Sequence, residues 1–179
     1  MECKAYLEKG KQKNMKKIIL RIISMILLLC TFFIIFNFSA QDGEESGSLS
    51  NKITTEFINR FPYTKDLSAE TKTKMIEHAE PIVRKLAHLS IYTVVGMCIM
   101  TFMCTFPIKL RTKLGTSLIV GLIYAVSDEW HQSFVPGRGP SIRDVCIDTT
   151  GVFLGIIIIL IIASIYIALK KDNKEKVNS

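Results

Sequence analysis

The reactive side chains of this sequence are concentrated in one short stretch, Ser127–Asp148, reading SDEWHQSFVPGRGPSIRDVCID. It sets Asp128, Glu129, His131, Gln132, Arg138, Arg143, Asp144 and Asp148 between apolar runs at Leu114–Val126 and Gly151–Leu169. Carboxylates and imidazoles can exchange protons with a substrate, and arginines suit bidentate contacts to phosphate or carboxylate. Polar groups this dense beside hydrocarbon are costly unless they pair or line a wet cavity, which makes a site the default expectation. A plainer alternative is the solvated turn of a helical hairpin, since Pro136-Gly137-Arg138-Gly139-Pro140 cannot be helical and must reverse the chain. Against it, the charges run on into the flanking helices at helical spacing. Asp128 and Gln132 are four apart, as are Asp144 and Asp148, so each pair shares a helix face.

A third stripe lies earlier in the chain, where Arg84, His88 and Tyr92 are again four apart, with Lys85 beside them and Gly96 continuing the face. A lone histidine here would more often be a packed polar residue; an Arg, a His and a Tyr on one face, at the depth of Asp128 and Asp144, point to a shared pocket. In such a pocket His88, Asp128 and Glu129 are the candidate acid and base groups. Arg84, Lys85, Tyr92, His131, Gln132, Arg138, Arg143, Asp144 and Asp148 are the candidate ligand-binding groups. A metal site is a lesser alternative, since His88, His131, Asp128, Glu129, Asp144 and Asp148 could converge; no metal ligand is assigned, because no His-x-x-x-His or Glu-x-x-His pattern is present and Asp128-Glu129-x-His131 puts its members on different helix faces. No cofactor is expected either: there is no nucleotide-binding glycine loop, and Gly115, Gly121, Gly151 and Gly155 sit in apolar helices where close packing is their use. Buried Arg and Asp residues could also pair with each other as glue between helices.

The elements that must position these groups are apolar blocks. Ile18–Phe38 contains a single charge, Arg21, and is long enough to cross about 30 Å of hydrocarbon at ~1.5 Å per residue. Further spans read at Leu86–Pro107, Leu114–Ser127 and Val145–Leu169, the third being the shortest. The expected fold is therefore an all-α, polytopic membrane protein, a four-transmembrane-helix bundle with short extracytoplasmic helices. Its parts are a basic cytoplasmic tail at 1–17, a membrane domain at 18–169 that includes an extracytoplasmic loop at 39–83, and a second cytoplasmic tail at 170–179.

The net charge of +7 does not indicate nucleic acid, since the bases sit at the ends of apolar spans with no aromatic platform beside them. They act as topology signals instead. Basic clusters precede the first span, fill the Lys109–Lys113 connection and follow the last span, so the positive-inside rule places both termini in the cytoplasm and the candidate site outside. The basic start and apolar run are like a signal peptide, but the run is too long and Phe38-Ser39-Ala40 makes a poor cleavage site, so an uncleaved helix is expected. The five cysteines form no Cys-x-x-Cys pattern. In the outer loop Leu49, Ile53, Phe57 and Phe61 recur every fourth residue, giving a short amphipathic helix at the membrane surface. A second polar helix runs from Ser68 to about Glu80, where Pro81 is expected to end it.

Taken together, these blocks resemble the VanZ family, named after a membrane protein associated with resistance to the glycopeptide teicoplanin. The matching residues are Phe38-Ser39-Ala40-Gln41, Arg84-Lys85-Leu86-Ala87-His88 with Tyr92, Ser127 to Gln132, Phe134 to Arg138, Asp144-Val145, and Asp148-Thr149-Thr150-Gly151 with Gly155. Two positions depart from the pattern: Ile91 stands where family members often carry Glu, and Asp148 where they often carry Asn. The resemblance implies a multi-pass protein of the cell membrane and envelope with a glycopeptide phenotype. Membrane lipids are the expected surroundings, and an anionic envelope lipid or cell-wall precursor the expected ligand, bound or modified. The alternative is a non-enzymatic binding or partner protein that limits glycopeptide access.

Overall fold

The computed structural model describes residues 2–178, with side chains described at 14–43, 46–173 and 175. Five helices follow one another: α1 Glu2–Ser39, α2 Gly43–Arg60, α3 Ala69–Cys104, α4 Leu110–Gln132 and α5 Ile142–Asn178, with a single 3-10 turn at Pro62–Thr64 and no strand among the described residues. Three segments are long and apolar enough to cross a membrane: Asn14–Ser39 within α1, the whole of α3, and Ile142–Asn173 within α5. At most 28% of the residues in their apolar windows are buried inside the protein. The remaining Leu, Ile and Phe side chains face outward, an arrangement favourable in lipid and untenable in water. The chain is an all-α, multi-pass membrane protein. The apolar run expected as a fourth span lies in α4, where Arg111 and Lys113 at the start and Asp128, Glu129 and His131 at the end keep the helix out of that group of three.

α3 is the central element and touches each of the other four helices, with α5 as its largest partner. The core consists of Tyr92, Val95, Ile99 and Met100 from α3, Ala125 from α4, Val152 and Ile156 from α5, and Ile35 from α1. Glycines let α3 and α5 meet backbone to backbone. A Cβ at Gly151 would stand 2.6 Å from the Leu89 carbonyl oxygen. One at Gly155 would overlap the Thr93 carbonyl, and one at Gly96 that of Val152. At the expected inner end, the lone charge of the first span has a structural task. Arg21 donates from Nε to Thr105 Oγ1 (3.1 Å) and from a terminal nitrogen to the Thr105 carbonyl (3.2 Å), and its guanidinium lies 4.0 Å over the Phe106 ring. It thereby ties α1 to the end of α3 and occupies carbonyl-rich backbone that has no intrahelical donor.

One expectation needs correction. The helix expected to stop near Glu80 runs unbroken through Pro81 to Cys104. The ring removes one backbone donor, but Glu80 and Arg84 form an ion pair of 2.6 Å that straddles Pro81 and holds the two halves in register. The basic segment at 1–17 continues α1 as helix from Glu2, and the segment from 170 continues α5 to Asn178. Both are dominated by good helix formers extending an existing helix, so no new nucleus is needed. His78, within the helix expected from Ser68, is an exposed residue of α3 whose ring nitrogen meets the Lys74 carbonyl at 2.8 Å.

The amphipathic helix expected around Leu49–Phe61 is α2, and its polarity is inverted relative to a helix on a soluble core. Ser50, Thr54 and Ile58 are buried against the protein, while Leu49, Ile53, Phe57 and Phe61 are exposed. An apolar stripe turned outward is what a helix at a lipid boundary requires.

Candidate functional site

The polar groups of α3, α4, α5 and the turn at 133–141 gather at the end of the bundle where α1 finishes and α2 begins. Each stripe is set by helical spacing. On α4, Asp128 and Gln132 are both buried, and Gln132 Nε2 donates to Asp128 Oδ2 at 3.1 Å and to Ser39 Oγ of α1 at 3.1 Å. On α5, Asp148 is fully buried, and its Oδ1 lies 3.5 Å from His88 Nδ1 of α3. One turn further out the same two helices bring Lys85 Nζ to 3.8 Å from Asp144 Oδ1. Tyr92, also fully buried, has Asp128 and Asp148 as its electrostatic neighbours.

The turn is built to hold Arg138 over this cluster. Gly137 has φ of 73°, a left-handed conformation suited to glycine, and the Gly43 amide at the start of α2 donates to the Pro136 carbonyl at 3.1 Å. A Cβ at Gly43 would lie 2.6 Å from the Gly137 carbonyl oxygen, so both strands of the approach need to be bare. Glu129, read from sequence as an acid–base candidate, turns instead to the start of α5. Its Oε2 accepts the Ser141 amide at 2.8 Å, while Ser141 Oγ accepts the Asp144 amide at 3.3 Å. These bonds cap α5 and fix where Asp144 and Asp148 begin.

Two cavities of about 260 Å³ each flank the cluster. One is walled by apolar residues of α1, α2 and α3, among them Ile35, Phe38, Leu49, Ile53, Val83 and Ile91. The other is polar and is lined by Glu80, Lys85, Gln132, Asp144 and Asp148. Arg84, His88 and Arg138 line both. Burial draws the pKa of Arg138 down from its ordinary value, and the facing charge of Arg84 acts in the same direction. The two guanidiniums thus repel across the wall that the cavities share, while Asp128, Glu129 and Asp42 act on Arg138 in the opposite sense and Glu80 pairs with Arg84.

Not every candidate joins this centre. The His131 ring packs on Phe36 of α1 with centroids 4.6 Å apart, and His131 lines neither cavity. Arg143 is exposed and lines a separate groove between α3 and α5 with Ile82, Leu86 and Leu89. Three residues of the centre were absent from the sequence-based set. Ser39 accepts from Gln132. Glu80 pairs with Arg84 and receives a hydrogen bond from Ser50 of α2, which docks that helix on α3. Glu80 was findable, because it lies four residues before Arg84, but the expected break at Pro81 severed it from the stripe.

Several buried polar atoms of the centre have no hydrogen-bond partner within the protein: His88 Nδ1, the Tyr92 hydroxyl and both carboxylate oxygens of Asp148. Such atoms are costly in a resting protein and are the expected signature of a place where something else binds. No curated protein and no solved structure matches the chain. The VanZ/LLP1 family pattern matches residues 24–163, a span that takes in the centre with all its contributing helices, and the chain is a member of the VanZ/LLP1 family.

Proposed function

We propose that the protein holds an anionic amphiphile of the cell envelope, a lipid or lipid-linked cell-wall precursor, at an outward-facing pocket of the cell membrane. The apolar cavity takes the chain and the polar cavity takes the head group. The observation that carries this reading is that the two cavities share one wall, formed by Arg84, His88 and Arg138. A pair of cations at the junction of an apolar and a polar chamber matches the chemistry of a lipid phosphate or carboxylate. Each cavity alone falls below the ~300 Å³ at which small-molecule sites begin, and the two together lie within that range. In this reading α4 is the fourth span and both termini are cytoplasmic, as the basic residues at Lys109, Arg111, Lys113, Lys170 and Lys171 favour. Sequestering or altering such a ligand would lower susceptibility to a glycopeptide such as teicoplanin, the phenotype implied by the family resemblance.

The test is a glycopeptide susceptibility assay in cells carrying Arg84→Ala, His88→Ala, Asp128→Ala or Arg138→Ala, with membrane accumulation measured in parallel. Each variant is expected to lose the phenotype while accumulating normally; normal phenotypes in all four would remove the pocket. Asp128→Asn and His88→Gln then separate modification of the ligand from simple binding, because isosteres retain shape and lose proton transfer. Mass spectrometry of envelope lipids and precursors would show a new covalent product if the bound molecule is modified.

A further inference from the structure

We propose that His88, Asp128 and Asp148 form a site for a single divalent transition-metal ion between α3, α4 and α5. One ligand atom from each of these residues lies within 4.8 Å of the other two, although they come from three different helices. The His88–Asp148 separation of 3.5 Å is too long for a good hydrogen bond. It is close to the ~3.4 Å between two ligands bonded at about 2.1 Å to one tetrahedral ion. Drawing the third ligand in requires a movement of about an ångström, within reach of side-chain adjustment.

Independent support comes from the state of the donors. Asp148 is fully buried, yet neither of its carboxylate oxygens has a hydrogen bond of ordinary geometry, and His88 Nδ1, equally without one, stands 3.5 Å from Asp148 Oδ1 as a long ion pair. Two carboxylates and an imidazole this close together in a membrane bundle call for a compact positive charge, which a divalent ion supplies. The outer shell is already in place: Gln132 donates to Asp128 and is itself held by Ser39. His88 and Asp148 also line the polar cavity, so the ion has an entry path. One nitrogen and two oxygen donors without a thiolate favour zinc or manganese over calcium, which takes six to eight oxygens.

This inference does not rest on the lipid reading, and its test uses the metal alone. Tag-free protein in detergent is stripped with chelator, equilibrated with zinc or manganese chloride, passed through a desalting column and counted for bound metal by mass spectrometry. The expected result is about one ion per chain, with affinity reduced at least roughly tenfold in His88→Gln, Asp128→Asn and Asp148→Asn and unchanged in His78→Ala. Helical circular dichroism and gel-filtration profiles identify any variant that fails to fold. Independently of the variants, the unfolding temperature of the unsubstituted protein is expected to rise on adding the ion and to fall again on adding chelator. An absence of both retained metal and thermal shift would overturn the site, leaving His88 and Asp148 as a proton-sharing pair. Metal retained equally by all three cluster variants would overturn it as adventitious binding.

Discussion

The same two helices, α3 and α5, meet in opposite ways at two depths. Around Gly96, Gly151 and Gly155 they touch backbone to backbone, with Tyr92, Val95, Val152 and Ile156 closed over the contact. Toward the end of the bundle where α1 finishes, at His88 with Asp148 and Lys85 with Asp144, the side chains are longer and polar and a cavity of about 260 Å³ opens beside them. The tight crossing acts as a fulcrum: it fixes the rotation of both helices and so determines which residues face each other where they part. Packing specifies the lower region and leaves no room for a ligand, whereas the upper region is under-satisfied in its resting state.

The contrast can be broken most directly at the fulcrum. Gly155→Leu is expected to prevent accumulation of the folded protein, or to cost at least about 3 kcal/mol in detergent unfolding, because its side chain must displace the Thr93–Met97 backbone. A folded, fully stable variant would mean that the close crossing is not what sets the site. Arg138→Ala, at the open end, should weaken binding to anionic vesicles about 10- to 100-fold in a flotation assay, with a smaller change in unfolding temperature from the lost attraction to Asp128, Glu129 and Asp42. Equal binding to neutral vesicles would point to the apolar cavity as the main determinant. Arg21→Ala tests the opposite end of the bundle: losing the link to Thr105 should cost about 1 kcal/mol of stability without touching vesicle binding. The smallest effect is expected for Tyr92→Phe, which removes a buried hydroxyl that lies beside Asp128 without a hydrogen bond of good geometry. Stability should hold or rise by up to about 1 kcal/mol, and a marked loss would show that the hydroxyl is bonded in the resting protein.

Much of this arrangement was readable from spacing, and the unreadable part has a definite physical origin. A four-residue interval fixes that Asp128 and Gln132 share a face, and the structure joins them by a hydrogen bond. It says nothing about the rotation of one helix relative to its neighbour. That His88 would meet Asp148, while His131 turned to Phe36 of α1, depends on the glycine crossing and on no local pattern. The trio proposed to hold a metal ion could be read only as part of a wider set of His, Asp and Glu residues able to converge, since each helix contributes one member and motif spacing detects only ligands on a shared segment. Pro81 misled because its local penalty was set against no compensating contact, when the Glu80–Arg84 pair and the Ser50–Glu80 bond hold that part of α3 from outside. Glu129 was readable as an acid beside the site but not as the group that receives the Ser141 amide, since the path of the Pro136–Pro140 turn had to be known first.

The bond between the Gly43 amide and the Pro136 carbonyl has a mechanical consequence. It fastens the first residue of α2 to the turn that carries Arg138, so the position of that guanidinium is tied to the seating of α2 as well as to the ends of α4 and α5.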